Sequence, residues 1–318
     1  MKKSGKLQLI GKILSILSIG FVAYAVWKMG LDFSFVNNVP LFLLAVIAGI
    51  GMKLLSMWIS ASAWTRWLAF FAGKPVAKRE ARQVFLRANI GKYIPGNVMH
   101  FVQRNLFATG MGISQLQLAM SSVFEVMSYV AVALIVASLT AWDSMQTVLA
   151  KYFGEKLPVL GIALACVAVG IVAVIFILRK KIKKALAGYK AKDFAKTLGS
   201  VMALQLVTLL LLAAVMVMLV WYALGTLPAE TAGTVVSTYV IAWVLGYIVP
   251  GASGGIGIRE MALLLLLGPL LGDSLVLGLA MIHRLITIVG DFLGYLIVVI
   301  RKRRDGTGGT EGAEEEHA

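Results

Sequence analysis

Two short segments of the chain share one spacing of glycine, proline and arginine. The first reads GKYIPGNVMHFVQR from Gly91 to Arg104, and the second reads GYIVPGASGGIGIR from Gly246 to Arg259. Both follow the pattern Gly-x3-Pro-Gly-x7-Arg and align without a gap. Proline ends a helix, and glycine lets another group approach the backbone closely. A helix that restarts after Pro-Gly presents free N–H groups and a positive dipole end, which together bind anions such as phosphate.

The arginine that closes each motif adds a second anion-binding group, because its planar guanidinium matches a phosphate. The two motifs therefore predict two phosphate-binding segments. The alternative is a pair of Pro-Gly kinks that only pack, with each arginine reaching the membrane interface. The candidate substrate-binding residues are Gly91, Lys92, Pro95, Gly96, Asn97, Arg104, Pro250, Gly251, Ser253, Gly254, Gly255, Arg259 and Glu260.

Ionisable residues inside apolar stretches form a second group of candidates, because such residues are rare and costly in a membrane. Glu125, Arg284 and Asp291 are predicted to take part in ion coupling or in pairing within the membrane. Asp291 lies seven residues after Arg284 on one helical face, which favours a structural pair. Glu125 has two open interpretations, an ion pair with an arginine of another span or a proton carrier. Lys53 also lies mid-span, and its role is left open.

The elements that position these residues are predicted to be membrane helices. Of the 318 residues, 59% are hydrophobic and 14% are charged, against about 45–50% and 25% in soluble domains. A helix needs about 20 apolar residues to cross a bilayer. We predict an all-α polytopic membrane protein with six to eight helical membrane segments. The apolar runs lie at 10–27, 41–64, 116–141, 157–178, 198–223, 233–250, 261–271 and 274–300.

Basic residues predict the orientation of the chain. The net charge is +15, and 20 of the 30 basic residues lie in four places, at the N-terminus, around 74–82, within 179–196 and at 301–304. Basic residues beside apolar spans are typical of cytoplasmic loops and do not indicate nucleic-acid binding. Both termini are therefore expected in the cytoplasm, with the chain in the inner or plasma membrane. Residues 1–300 are expected to form a single transmembrane domain, and 301–318 a disordered cytoplasmic tail.

The placement of the two motifs predicts an internal repeat. Each motif follows two apolar runs and precedes a long span, with one half at about 1–150 and the other at about 151–300. The charge pattern has the two halves enter the membrane from opposite sides, so the repeats would be inverted, each with a Pro-Gly-broken, re-entrant helix. Such a pair points to a transporter's binding site. Whether residues 233–271 form full spans or a re-entrant hairpin is left open.

The stretches KYIPGNVMHFVQR and YIVPGASGGIGIRE resemble the transmembrane domain of the lysylphosphatidylglycerol synthase family. That family includes the flippase half of the bacterial multiple peptide resistance factor and stand-alone flippase-like proteins. The resemblance covers about residues 8–300 and is strongest from Pro250 to Glu260, with Ser253 where proline is often expected. No soluble synthase domain is expected in this chain, so the resemblance implies a membrane lipid translocase or lipid-binding transporter without the synthase activity.

The expected function is translocation of an anionic phospholipid or a lipid-linked phosphate headgroup across the bilayer. The expected partner is therefore a membrane lipid, and a homo-oligomer is allowed. No catalytic residue, metal or cofactor is expected, and the chain has no nucleotide-binding loop that would let ATP drive transport. Two alternatives stay open. The first is a membrane glycosyltransferase or other enzyme acting on lipid-phosphate substrates, and the second is a non-transporting accessory subunit.

Overall fold

The fold is helical throughout the part of the chain that the computed structural model describes, residues 35–94, 98–140, 188–248, 253–255 and 257–307. Those residues contain eight α-helices, three short 3-10 segments and no β-strand, which confirms the predicted all-α class. The 3-10 segments at Asn89–Tyr93 and Ser253–Gly255 are called the first and second turn below. The α-helices are α1 (Val39–Ala72), α2 (Lys78–Ala88), α3 (Met99–Phe107), α4 (Gln115–Thr140), α5 (Ala191–Leu224), α6 (Ala229–Ile248), α7 (Ile258–Leu271) and α8 (Asp273–Thr307).

Four helices are long and apolar enough to cross a membrane, namely Val39–Ala72, Gln115–Ala137, Ala191–Leu224 and Asp273–Arg301. Their outer faces carry large apolar side chains that are more than half exposed, such as Leu44 and Ile47 on α1. Contiguous apolar surface of this kind is typical of contact with lipid. The chain is therefore a membrane protein. Two further runs of the six to eight predicted segments, 10–27 and 157–178, lie outside the described residues.

The membrane helices α1 and α5 have the same length and end in the same way. The side chain of Asn38 caps α1 by accepting a hydrogen bond from the backbone N–H of Leu41 at 3.0 Å. Each helix has 34 residues and ends at a glycine with positive φ, Gly73 at 63° and Gly225 at 73°. At 1.5 Å per residue each is about 51 Å long, which exceeds a hydrocarbon core of about 30 Å. Both helices can therefore tilt in the membrane or extend beyond its hydrocarbon core.

Helices α1 and α5 pack side by side and run antiparallel. At one end, the Tyr222 hydroxyl accepts from the N–H of Asn38 at 3.1 Å and donates to its carbonyl at 2.9 Å. At the other end, the Tyr189 hydroxyl donates to the carbonyl of Phe71 at 2.6 Å. The start of α1 thus meets the end of α5, and the end of α1 meets the residues just before α5.

The order of elements in α1–α4 recurs in α5–α8. Each set consists of a long helix, a helix leading to a Pro-Gly motif, a short helix after the motif and a further long helix. The contacts recur as well, since α1 packs on α2 and α4 as α5 packs on α6 and α8, and α4 packs on α6 as α8 packs on α2. The last helix continues to Thr307, so residues 301–307 are helical where a disordered tail is predicted.

Candidate substrate-binding cavity

A polar cavity lies where the two motif segments meet in the interior of the helical bundle. The first turn contacts the second turn, and the ring of Tyr93 lies close against Gly254. Side chains from all eight α-helices complete the walls of a cavity of about 100 Å³. A single buried water needs about 10–15 Å³ of such space. The cavity is therefore large enough for several waters or for a polar group of comparable size.

Asp291 on α8 is the most heavily bonded carboxylate of the cavity. One of its oxygens lies 3.0 Å from Lys53 Nζ on α1 and accepts from Asn89 Nδ2 at 2.7 Å. The other lies 2.5 Å from Lys92 Nζ and accepts from the Tyr93 hydroxyl at 2.6 Å. Three of these four donors belong to the first turn, so Asp291 holds that turn against α8. Burial of this carboxylate is therefore compensated by two cations and two neutral donors.

Arg104, the arginine of the first motif, forms an ion pair with Glu125 on α4. Both side chains are almost fully buried, at 3% and 4% exposure. The Arg104 guanidinium also lies 3.9 Å from the centre of the Phe85 ring, at the distance of a cation–π contact. Although Arg104 lines the cavity, its charge is balanced by Glu125.

Glycine shapes the second turn and the start of α7. Gly254, Gly255 and Gly257 have φ angles of 57°, 79° and 85°. Residues other than glycine rarely adopt such positive φ angles. The carbonyl of Gly254 accepts from Arg284 Nη1 at 3.0 Å. Glu260 accepts from the backbone N–H of Gly257 at 2.7 Å, which caps α7, and its other oxygen lies 3.8 Å from Arg284 Nε. Glu260 therefore stabilises the start of α7, and it lines a smaller adjoining cavity.

Arg259, the arginine of the second motif, differs from Arg104 in having no carboxylate partner among the described residues. Its side chain packs against the backbone of Gly246 and Gly255. A Cβ added at Gly246 would lie 2.7 Å from the Arg259 Nε, and one added at Gly255 would lie 2.8 Å from it. Its guanidinium lies 5.6 Å from the centre of the Trp243 ring. The buried Nε has no hydrogen-bond partner in the described part of the chain. Arg259 thus brings an unbalanced positive charge to the cavity wall.

The charges on the cavity wall do not cancel. Five cations face two carboxylates among the described residues, so the formal charge of the wall is +3. Counting Glu260 on the adjoining cavity lowers the excess to +2. Buried charges are unfavourable unless they are paired, so an anion in this space would be stabilised. The cations are Lys53, Lys92, Arg104, Arg259 and Arg284, and the carboxylates are Glu125 and Asp291.

The structure brings seven predicted residues together at the cavity and leaves others elsewhere. Gly91 packs against Gln103 and His100, whereas Glu260 lies on the adjoining cavity. The backbone of Ser253 lies in the second turn, and its side chain is not described. Five further predicted residues lie outside the described ranges, namely Pro95, Gly96, Asn97, Pro250 and Gly251. The seven that line the cavity are Lys92, Arg104, Glu125, Gly254, Arg259, Arg284 and Asp291.

Sequence reasoning missed the neutral polar and aromatic side chains of the wall. Asn89 and Tyr93 flank Lys92, so the run of three donors within five residues was a usable signal. Tyr239 and Trp243 lie four residues apart on one face of α6 and carry no local signal that separates them from ordinary core residues. The predicted partner of Asp291 was Arg284 on its own helix, yet its salt bridges come from Lys53 and Lys92.

The excess of cations on the cavity wall favours binding of an anion. Within the described ranges, no group of three or more histidine, cysteine, aspartate or glutamate residues could hold a metal ion. Neither the protein-family models nor the curated proteins match this chain.

Proposed function

We propose that the chain is an integral membrane lipid translocase that moves an anionic phospholipid or a lipid-linked phosphate headgroup across the bilayer. The observation that carries this proposal is the excess of cations, five against two carboxylates, around an interior cavity of a membrane protein. Uncompensated charge inside a bilayer is expensive and marks a path for a substrate or an ion. A lipid suits this site because its phosphate can enter the cavity while its acyl chains stay in the membrane.

The repeated order of helices supports a transporter built from two inverted halves. The equivalent helices α1 and α5 are antiparallel, as two inverted repeats require. Their motif segments meet at the cavity, where such transporters bind substrate. The resemblance of these motifs to the lysylphosphatidylglycerol synthase family's transmembrane domain agrees with this proposal. From the basic residues of its loops, we propose that the protein lies in the inner or plasma membrane with both termini in the cytoplasm.

Lipid movement in proteoliposomes tests the proposal. The purified protein is reconstituted with a trace of fluorescent phosphatidylglycerol, and a membrane-impermeant quencher reports the outward movement of the dye. We expect quenching of the inner-leaflet dye in proteoliposomes but not in protein-free vesicles. The proposal is rejected if well-folded, reconstituted protein moves no phosphate-bearing lipid and retains none during purification.

A matched pair of arginine variants connects movement to the cavity. Arg259→Gln removes the unbalanced cation, whereas Arg301→Gln removes an exposed charge near the end of α8. Loss of a charged hydrogen bond costs about 1.5–3 kcal/mol, or about 10–150-fold in affinity. We expect that loss for Arg259→Gln alone. Equal lipid affinity in both variants would exclude this cavity as the phosphate site.

A further inference from the structure

The short helix α3 has two faces of different chemistry. His100 and Arg104 lie on one face and line the cavity. Val98, which directly precedes α3, lies four residues before Val102 and eight before Leu106, and all three are exposed. Because positions four residues apart share a helical face, these three form one apolar stripe, called the α3 stripe below. The α3 stripe and the cavity therefore lie on the two sides of a single nine-residue helix.

The buried side chains of α3 do not include an apolar one. They are His100, Gln103 and Arg104, and Arg104 is paired with Glu125 on α4. The apolar residues of the helix are instead turned outward, and those of the α3 stripe keep 58%, 42% and 39% of their surface exposed. Exposed apolar surface of this kind marks a contact with another molecule or with the membrane. In a bilayer, acyl chains are the apolar groups that can cover the α3 stripe.

A cation lies at one end of the α3 stripe. The Arg87 Cζ on α2 lies 4.7 Å from the centre of the Phe107 ring, and Phe107 directly follows Leu106. The Arg87 side chain is half-buried. Its buried Nε has no hydrogen-bond partner in the described part of the chain, and no described carboxylate forms a salt bridge with it. A guanidinium without an anionic partner is suited to bind a phosphate.

We infer that the edge between α2 and α3 is a docking surface for the substrate lipid, with the phosphate at Arg87 and an acyl chain along the α3 stripe. The α3 stripe spans eight residues, or about 12 Å of helix, and it begins beside the cation. A phospholipid matches this surface because it joins an anion to a long apolar chain in one molecule. The inference rests on the proposed function and adds the place where the lipid binds before its headgroup passes α3 into the cavity.

A matched pair of arginine variants on α2 tests the phosphate position. Arg82 is also half-buried, its Cζ also lies 4.7 Å from a ring centre, and its buried Nε also has no described partner. Its ring is Trp58 on α1, however, so Arg82 lies on the flank of α2 that faces α1. Arg82→Gln therefore removes the same charge from the same helix but away from the α3 stripe.

The full-length protein is reconstituted in phosphatidylcholine vesicles with increasing mole fractions of fluorescent phosphatidylglycerol, and the rate of lipid movement is measured. We expect Arg87→Gln to raise the half-saturating mole fraction about fivefold, the effect of one basic residue at a membrane surface. The maximal rate should stay unchanged, because the cavity is intact. Arg82→Gln should behave as the wild type does. Inorganic phosphate at the same bulk concentration should not compete, since it has no chain to cover the α3 stripe.

A second pair of variants tests the acyl-chain position with exposed residues that leave the core untouched. Val102 on α3 and Val207 on α5 are 42% and 45% exposed. We expect Val102→Gln to raise the half-saturating mole fraction about 2–5-fold, because part of an apolar contact is lost. Val207→Gln should leave it unchanged.

Three outcomes would overturn the docking surface while the proposed function stands. They are unchanged half-saturation in both Arg87→Gln and Val102→Gln, an equal shift in each variant and its control, and a lower maximal rate without a shift in half-saturation. Competition by inorganic phosphate would assign Arg87 to a soluble anion and would also overturn it. If the wild-type protein moves no lipid at any mole fraction, the proposed function fails and the docking surface fails with it.

Discussion

At the scale of single residues, the two motif arginines have different surroundings although the sequence predicts equal roles for them. Arg104 is followed after 21 residues by Glu125, its partner. The position 21 residues after Arg259 is Ala280, and the ionisable residues that follow are His283 and Arg284. The second half therefore supplies a cation, Arg284, near the position where the first half supplies a carboxylate. Arg104 is balanced by the protein itself, and Arg259 is available to a ligand.

This difference predicts that Arg104→Ala damages the fold more than it damages lipid contact. Removing one partner of a buried pair costs about 3–5 kcal/mol, because the other charge stays buried alone. We expect a loss of that order for Arg104→Ala in unfolding by a denaturing detergent, followed by circular dichroism. The double variant Arg104→Met, Glu125→Leu should recover most of the stability, since an apolar pair can replace a buried ion pair.

Arg66→Ala is the control for that experiment, because Arg66 is exposed and, among the described residues, donates to the carbonyl of Ser200 at 3.2 Å. It should change the unfolding free energy little. An Arg104→Ala variant that is as stable as the control but moves no lipid would assign Arg104 to the substrate instead. A role for Glu125 as a proton carrier stays a prediction, with the added condition that protonation must break its pair with Arg104.

At the scale of elements, close packing explains the spacing of the motif. The first glycine of each motif lies where the segment after the break folds back onto the segment before it. Gly246 faces the side chain of Arg259, and Gly91 faces Gln103, the residue before Arg104. A Cβ at Gly91 would lie 2.6 Å from Gln103 Oε1 and 2.9 Å from the backbone nitrogen of His100. The glycine and the arginine thus belong to one packed unit.

A prediction for Gly246 follows from this contact. In Gly246→Ala the new methyl group would overlap the Arg259 side chain, so the guanidinium must leave its position on the cavity wall. We expect a folded protein whose affinity for phosphatidylglycerol approaches that of Arg259→Gln. Gly233→Ala on the same helix is the matched control, because a Cβ there meets nothing within 4 Å. Equal lipid binding by the two alanine variants would contradict the proposed position of Arg259.

The positions of the helices were largely predictable from the sequence, and the pairing of the charges was not. The apolar runs 116–141 and 198–223 correspond closely to α4 (115–140) and α5 (191–224), since lipid requires long apolar stretches wherever a helix crosses. The partners of Asp291 come from residues 53 and 89–93, about 200 positions or more away. Spacing along a single helix suggested Arg284 as the partner of Asp291. Such spacing carries no information about residues on neighbouring helices.

At the scale of the whole molecule, the loops after α1 and α5 occupy equivalent places in the two halves. Each follows a 34-residue helix that ends at a glycine with positive φ. The two helices are antiparallel, so these loops lie at opposite ends of the pair. If both helices cross the membrane, the two loops must face opposite compartments. From the basic residues Lys74, Lys78, Arg79 and Arg82, we expect the first loop to face the cytoplasm.

Single cysteines in these two loops test the inverted arrangement and its orientation together. Ala77 and Thr226 are both exposed, so Ala77→Cys and Thr226→Cys, each in a Cys166→Ser background, should leave the fold intact. In intact cells, we expect a membrane-impermeant thiol reagent to label position 226 and to miss position 77. In detergent-permeabilised cells both positions should label, which is the control for accessibility. Labelling of position 77 alone would reverse the orientation but keep the inversion. Labelling of both positions in intact cells would place the equivalent loops on one side of the membrane, and two inverted halves could not then form the cavity.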